Sequence, residues 1–285
     1  MLLVALVAPA PAAIAGFARA ARDVDAPLIL ARPAGAAEEK GPEEARDDAA
    51  FVEAAFRIAA ELHFSGPLVL LKEPPRAGSA VSETERVRRE IETGFTGVAL
   101  TAEDTATSAR NAALAAANVC NMELGLEVVP LGGAQAGAEL ARQLRSRGAR
   151  PSALRVTGVE DEAPSLAEEL EGTALASASE DLVADLLAYR IQQLVASGPF
   201  LRALRRAAPG DVWATLEAWA DEKAATVEDA AARHQRLLRD LPPLASEKLE
   251  AHCFFEALEV YQRAGARKTA ARLVEALAAL HPPEP

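Results

Sequence analysis

Aromatic residues are scarce in this chain, at 4% of 285 residues, and so are cysteine and histidine, with two and four. An interior with so few rings must be filled by aliphatic side chains. Half of the residues are apolar, with Ala, Leu and Val dominant, which suits helices lying close on a parallel sheet. Cys120 and Cys253 have no CxxC spacing and no histidine cluster beside them. That pattern predicts two buried free thiols in a reducing compartment, with neither a disulfide nor a metal role. Basic residues are in deficit too: 30 Lys and Arg stand against 42 Asp and Glu, a net charge of −12. A phosphate-backbone binder needs a concentrated basic patch, so nucleic acid is excluded as a partner. There is no GxGxxG or GxxxxGK[ST] loop after any apolar run, which argues against dinucleotide and P-loop sites. No apolar stretch reaches the roughly 18 to 20 residues that cross a bilayer. The opening MLLVALVAPAPAAIAG imitates a secretory signal, yet no basic residue precedes its apolar run and it passes into the amphipathic GFARAARDVD. A strand followed by a helix, in a cytoplasmic protein, is expected there.

What the sequence does contain is alternation. Short apolar runs occur at 2–8, 27–32, 67–72, 97–102, 126–131, 153–159, 172–178 and 191–197, each ended by Pro, Gly or charged residues. Longer helical patterns separate them, such as DAAFVEAAFRIAAELHF and SETERVRREIETGF. Eight such units predict an α/β fold, a (β/α)8 TIM barrel over residues 1–208, in preference to an open doubly wound sheet. The seventh run, GTALASA, is small and polar enough to be a loop. Ser82 with Glu85 fits a capping box, and Gly94 and Gly125 fit helix terminators. From residue 209 to 285 the pattern is helical only. This extension is expected to pack on the barrel or to form an oligomer interface. The acidic connection 33–48, PAGAAEEKGPEEARDD, follows the second run and is expected to be a loop able to act as a lid.

Parallel barrels gather function at the carboxyl ends of their strands. The residues predicted there are Pro9, Arg32, Lys72, Glu73, Arg76, Glu103, Asp104, Gly132, Gly133, Glu160, Asp161, Ser177, Ser179, Ser197 and Gly198. No histidine is among them, since His63, His234, His252 and His281 fall in helical or terminal stretches. In LVLLKEPPRAG, Lys72 is a candidate Schiff-base lysine and Glu73 a candidate proton shuttle. Side chains alternate along a strand, so both cannot face the barrel axis, and a plain ion pair for Lys72 is the competing reading. Arg32, Arg76, Ser197 and Gly198 are candidate substrate-binding residues, the last two ahead of a helix that begins with proline. Glu103–Asp104 and Glu160–Asp161 would serve as acid–base pairs or cap the helices that they begin. Trp213 and Trp219 are expected to be packing residues.

The segments GFTGVALTAEDT, LGLEVVPLGG and VASGPFLRALRRA, in that order, resemble the class II aldolase group of barrels. They are particularly similar to the tagatose-bisphosphate aldolase subunits of the non-catalytic type. The resemblance implies a sugar-phosphate ligand, carbon–carbon lyase chemistry if the protein is active, and a role as a homo-oligomer or as a partner of a catalytic aldolase subunit. It implies a zinc site as well, with Glu127 at the family's distance before Gly132 and Gly133. In that family the third strand ends in a histidine-bearing motif; here it ends in KEPPR. A catalytic zinc needs about three protein ligands with histidine prominent, so no cofactor is expected and Glu127 becomes a vestigial candidate. Three readings follow: a divergent, non-catalytic partner subunit or sugar-phosphate binder; a metal-independent lyase or isomerase using Lys72; and a structural or assembly protein.

Overall fold

The computed structural model describes residues 1–33, 42–73, 83–102, 125–130, 134–146, 151–156, 160–170 and 173–280. Eight strands fall on the eight apolar runs: β1 Leu3–Val7, β2 Leu28–Arg32, β3 Leu68–Lys72, β4 Gly97–Ala102, β5 Gly125–Pro130, β6 Ala153–Arg155, β7 Ala174–Ser177 and β8 Gln193–Ala196. The small, polar GTALASA is a strand after all, held by pairing on both sides with β6 and β8. Every strand pairs in parallel with the next in chain order, and β8 pairs with β1. The sheet therefore curls onto itself and leaves no free edge among the described strands.

The helices are α1 Pro11–Val24, α2 Pro42–Glu61, α3 Glu83–Thr93, α4 Ala134–Ser146, α5 Ala163–Glu169, α6 Gly198–Ala207, α7 Gly210–Lys223, α8 Val227–Arg233, α9 Gln235–Arg239, α10 Pro243–Arg263 and α11 Thr269–Leu280. A helix after every strand is not observed. β7 leads into a 3-10 turn, Glu180–Leu182, and then turns up to Arg190, while the stretch 103–124 after β4 lies outside the described residues. The expected lid over 33–48 also needs correction, because α2 starts at Pro42 and takes in the acidic half of it. The stretch EEARDD has good helix formers and continues the apolar period of Phe51, Val52 and Ala55, and that period wins. Ser82, Gly132 and Gly133 lie outside the described residues, so their expected roles do too. Gly94 ends α3 with φ +106°, a left-handed position that glycine fills without strain.

Strand alternation divides the interior into two apolar clusters. Leu28, Leu30, Leu70, Val98, Leu100, Leu154, Leu175 and Leu194 pack outward with the helices. Ala5, Val7, Ile29, Ala31 and Val195, with Leu3, Val69 and Leu71, form the smaller cluster that the strands enclose. This parity decides where each polar residue at a strand end points.

The helical C-terminal region folds back on the barrel. α10 lies along α1 and α6. Its contact with α1 is backbone-close at Gly16, where a Cβ would come within 2.4 Å of the Glu250 carbonyl oxygen and 2.7 Å of Cys253 Cβ. Cys253 is buried and free, as expected, and burial pushes its thiol up well above the ordinary range. Cys120 lies outside the described residues. Glu256, also buried on α10, accepts from Arg202 Nε and Arg206 Nη1 of α6, each at 2.6 Å.

Candidate functional site

Arg32 and Lys72 end neighbouring strands and are partners in the β2–β3 register. They continue the parity of Leu30 and Leu70 and so enter the layer between sheet and helices, where Lys72 is only 3% exposed. Asp48 of α2 meets them there: its Oδ1 accepts from Lys72 Nζ at 2.7 Å and from Arg32 Nε at a shorter distance. Asp48 occupies the buried stripe that runs on through Phe51, Val52 and Ala55. Rings cover the two cations, with Arg32 over Phe51 and Lys72 over Phe95. Burial alone would raise the Asp48 pKa, but Lys72 and Arg32 together hold it below the ordinary carboxylate value.

A second ion pair adjoins this group. Arg86 of α3 donates through Nη1 to both oxygens of Glu90, at 2.7 and 2.8 Å, and through Nη2 to the Ala99 carbonyl at 2.6 Å. The pair is buried and fastens α3 to β4. Burial raises Glu90 to about 7, against the pull of Arg86 and Lys72, with Asp48 adding to the rise.

Glu73 has the opposite parity to Lys72 and continues the inward set of Val69 and Leu71. Arg155 of β6, next to the outward Leu154, faces inward as well. Although β4 and β5 separate their strands, the two side chains meet: Nη1 to Oε2 at 2.7 Å and Nη2 to Oε1 at 2.9 Å. This two-point pair spans the barrel mouth, with side-chain exposures of 18% for Glu73 and 11% for Arg155.

Several of the other predicted residues are drawn into internal hydrogen bonds. Glu160, in the 3-10 turn after β6, accepts from the hydroxyls of Ser177, at 2.6 Å, and Ser179. Asp161 is exposed. Ser197 is the N-cap of α6 but makes no capping bond through its hydroxyl. The Gly198 amide, expected to cradle phosphate, donates to Glu180 Oε1 at 2.5 Å, and Arg202 holds the other oxygen at 3.2 Å. An internal carboxylate thus takes the place at that helix start where a ligand anion would sit. Pro9 lines a cavity of about 50 Å³ with Pro11, Ile14, Ala50, Phe51 and Arg239, room for a few waters and not for a sugar. Arg76, Glu103 and Asp104 lie outside the described residues.

The geometry separates the two residues of the KEPPR motif. A Schiff-base lysine needs its amine near the axis and open to a carbonyl; Lys72 instead turns outward and is committed to Asp48. The ion-pair alternative describes what is observed. Arg32 likewise points away from the mouth. Sequence reasoning did not single out Asp48, which stands where the acidic connection meets the helical pattern DAAFVEAAFRIAAELHF, although its i, i+3, i+4 relation to Phe51 and Val52 was a usable signal. It missed Arg155 as well, an arginine inside an apolar strand that had to find a buried acceptor.

A zinc ion of the family type does not fit the described residues. Among them no group of three His, Cys, Asp or Glu side chains could hold a metal. The carboxylates near the described strand ends are engaged within the protein, Asp48 by Arg32 and Lys72, Glu73 by Arg155, and Glu160 by Ser177 and Ser179. His63 sits in the turn before β3, at the amino end of the sheet; His234 packs edge-on against Trp219, and His252 belongs to α10. Glu127 is in backbone register with Ala99 and Ala153.

No protein-family model and no curated protein matches the chain. Solved structures do. The YdjI aldolase from Escherichia coli K12 is similar with a TM-score of 0.66 at 12% identity, over 94% of this chain and 93% of that one. The fold is aldolase-like. A fructose-bisphosphate aldolase from Campylobacter jejuni gives 0.61 at 10% identity, over 94% of this chain and 91% of that one. A "probable tagatose 6 phosphate kinase" from Sinorhizobium meliloti 1021 gives 0.57 at 17% identity, over 98% and 92%. At these identities the aldolase-like resemblance is one of fold, and it agrees with the likeness read from the sequence. No helix among the described residues is long and apolar enough to cross a membrane.

Proposed function

We propose that the chain is a divergent (β/α)8 barrel of the class II aldolase type, over residues 1–208, with a helical extension from 209 to 285. It binds a phosphorylated sugar without cleaving it, in the cytoplasm, and needs no metal cofactor. It acts as a homo-oligomer or as the non-catalytic partner of an aldolase subunit. The observation that carries this reading is the Glu73–Arg155 pair, which crosses the mouth where such folds keep their reacting groups. An arginine fork there suits a phosphoryl group and repels a zinc ion.

The test is an aldol-cleavage assay of the purified chain on fructose and tagatose bisphosphates with and without added zinc, alongside calorimetric titration with the same sugars. Binding without cleavage is expected. Zinc-dependent cleavage would remove the non-catalytic reading, and absence of binding would remove the ligand class.

A further inference from the structure

We propose that Arg155 is the anion-recognising residue of the barrel mouth and that Glu73 is its built-in competitor, displaced when a phosphoryl group binds. The inference rests on the sugar-phosphate reading above and names the side chains that would carry it.

Three observations support it. First, alternation turns Glu73 and Arg155 inward while Arg32, Lys72 and Ser177 turn to the helices, so both members of the pair stand on the axis side of the described strand ends. Second, the contact is two-point and in the fork geometry that guanidinium uses for carboxylate and phosphate alike. A phosphoryl group offers the same acceptor spacing and more charge, and can take over both N–H donors. The exposure of the Glu73 carboxylate means that, once released, it has water to turn to. Third, the described groups behind β2 and β3 include one more cation than anion, in a chain whose net charge is −12. Asp48 is shared by two cations, Arg32 and Lys72, directly behind β2 and β3, and Glu90 is already paired with Arg86.

Exchange explains why an internal carboxylate stands at this point. With Glu73 in place the guanidinium keeps a two-point acceptor when no ligand is bound, at the cost of weaker ligand affinity. No bond is made or broken; one acceptor replaces another.

The experiment is calorimetric titration of the full chain with fructose 1,6-bisphosphate and, separately, inorganic phosphate. The proteins are the wild type, Glu73→Gln, and the double variant Glu73→Gln with Arg155→Gln. The double variant removes both charges of the pair together, so its fold is expected to survive, and circular dichroism checks each protein. Glu73→Gln is expected to bind both probes about tenfold more tightly than wild type, and the double variant at least about tenfold more weakly than Glu73→Gln. If the wild type binds the bisphosphate and the double variant binds it as well as Glu73→Gln does, Arg155 is not the recognising group, while the sugar-phosphate reading survives. If all three proteins fail to bind either probe at millimolar concentration, that reading falls and this inference falls with it.

Discussion

Arg32 and Lys72, register partners at the ends of β2 and β3, both donate to one oxygen, Oδ1 of Asp48. One carboxylate from the first turns of α2 thereby partners two cations that two strands push into the helix layer. The arrangement resolves a conflict in the sequence: an apolar strand that ends in Lys or Arg with outward parity must bury a charge, and the burial is tolerable only with a partner. Asp48 locks α2 against the very strands that precede and follow it.

Replacing Asp48 with Ala would leave both cations without this shared carboxylate. We expect a loss of about 3 to 5 kcal/mol in unfolding free energy, the range for breaking one side of a buried ion pair. Lys72→Met should cost much less, since Asp48 keeps Arg32 and methionine refills the space beside Phe95. Urea unfolding of the two variants checks the order; a Lys72→Met protein as weak as Asp48→Ala would mean that the shared carboxylate is not the keystone.

Much of this was legible in the sequence, and the reasons differ from residue to residue. The strand runs were readable because a sheet covered on both faces demands continuous apolar segments. Even the parity of Lys72 against Glu73 follows from the two-residue period. Asp48 opens the helical pattern DAAFVEAAFRIAAELHF, yet it also closes an acidic, proline-containing stretch that resembles a loop by composition, and nothing local marks it as the partner of two strand-end cations. The Glu73–Arg155 pair is a different case: its members are 82 positions apart, and only closure of the sheet brings β3 opposite β6. Likewise, nothing local marks Glu180 as the acceptor for the Gly198 amide.

The two buried carboxyls near Lys72 should pull stability in opposite directions with pH. Asp48 is held below its ordinary value of 3.8, so its contribution is present above that pH and is lost as the pH falls through the folded value. Glu90 is raised from 4.5 to about 7. Between these pH values the unfolded chain has ionised this group and the folded chain has not, so stability falls as the pH rises across the window. The size is on the order of 3 kcal/mol. Glu90→Gln should abolish that slope while keeping an acceptor for Arg86. Unfolding free energies from pH 4 to 8 decide it: an unchanged slope in the variant would show that another group is responsible.

Gly16→Ala tests how the C-terminal helices are seated. A methyl at this position meets the Glu250 carbonyl and the Cys253 side chain, both belonging to the backbone-close face of α10. Neither can swing away as a surface side chain would, so α10 must shift, at a cost of about 1 to 3 kcal/mol. Cys253, fully buried in the native chain, is expected to react faster with a thiol reagent in the variant. Unchanged thiol reactivity together with unchanged thermal stability would mean that the two helices are not packed this tightly.

Removing the chain beyond residue 210 bears on whether the extension is chiefly an assembly element. α10 covers α1 and α6, and its Glu256 is the buried acceptor for Arg202 and Arg206. A truncated chain would expose the apolar face of α1 and take the shared carboxylate away from both arginines, leaving Arg202 with Glu180. The expected result is a protein with sharply lowered thermal stability that aggregates, in place of a clean monomer. The milder Glu256→Gln should weaken the α6–α10 contact by about 1 to 3 kcal/mol and leave the oligomeric state unchanged. Light scattering and thermal unfolding of both proteins separate the two roles: a stable, monomeric truncation would show that the extension serves assembly and not the integrity of the barrel.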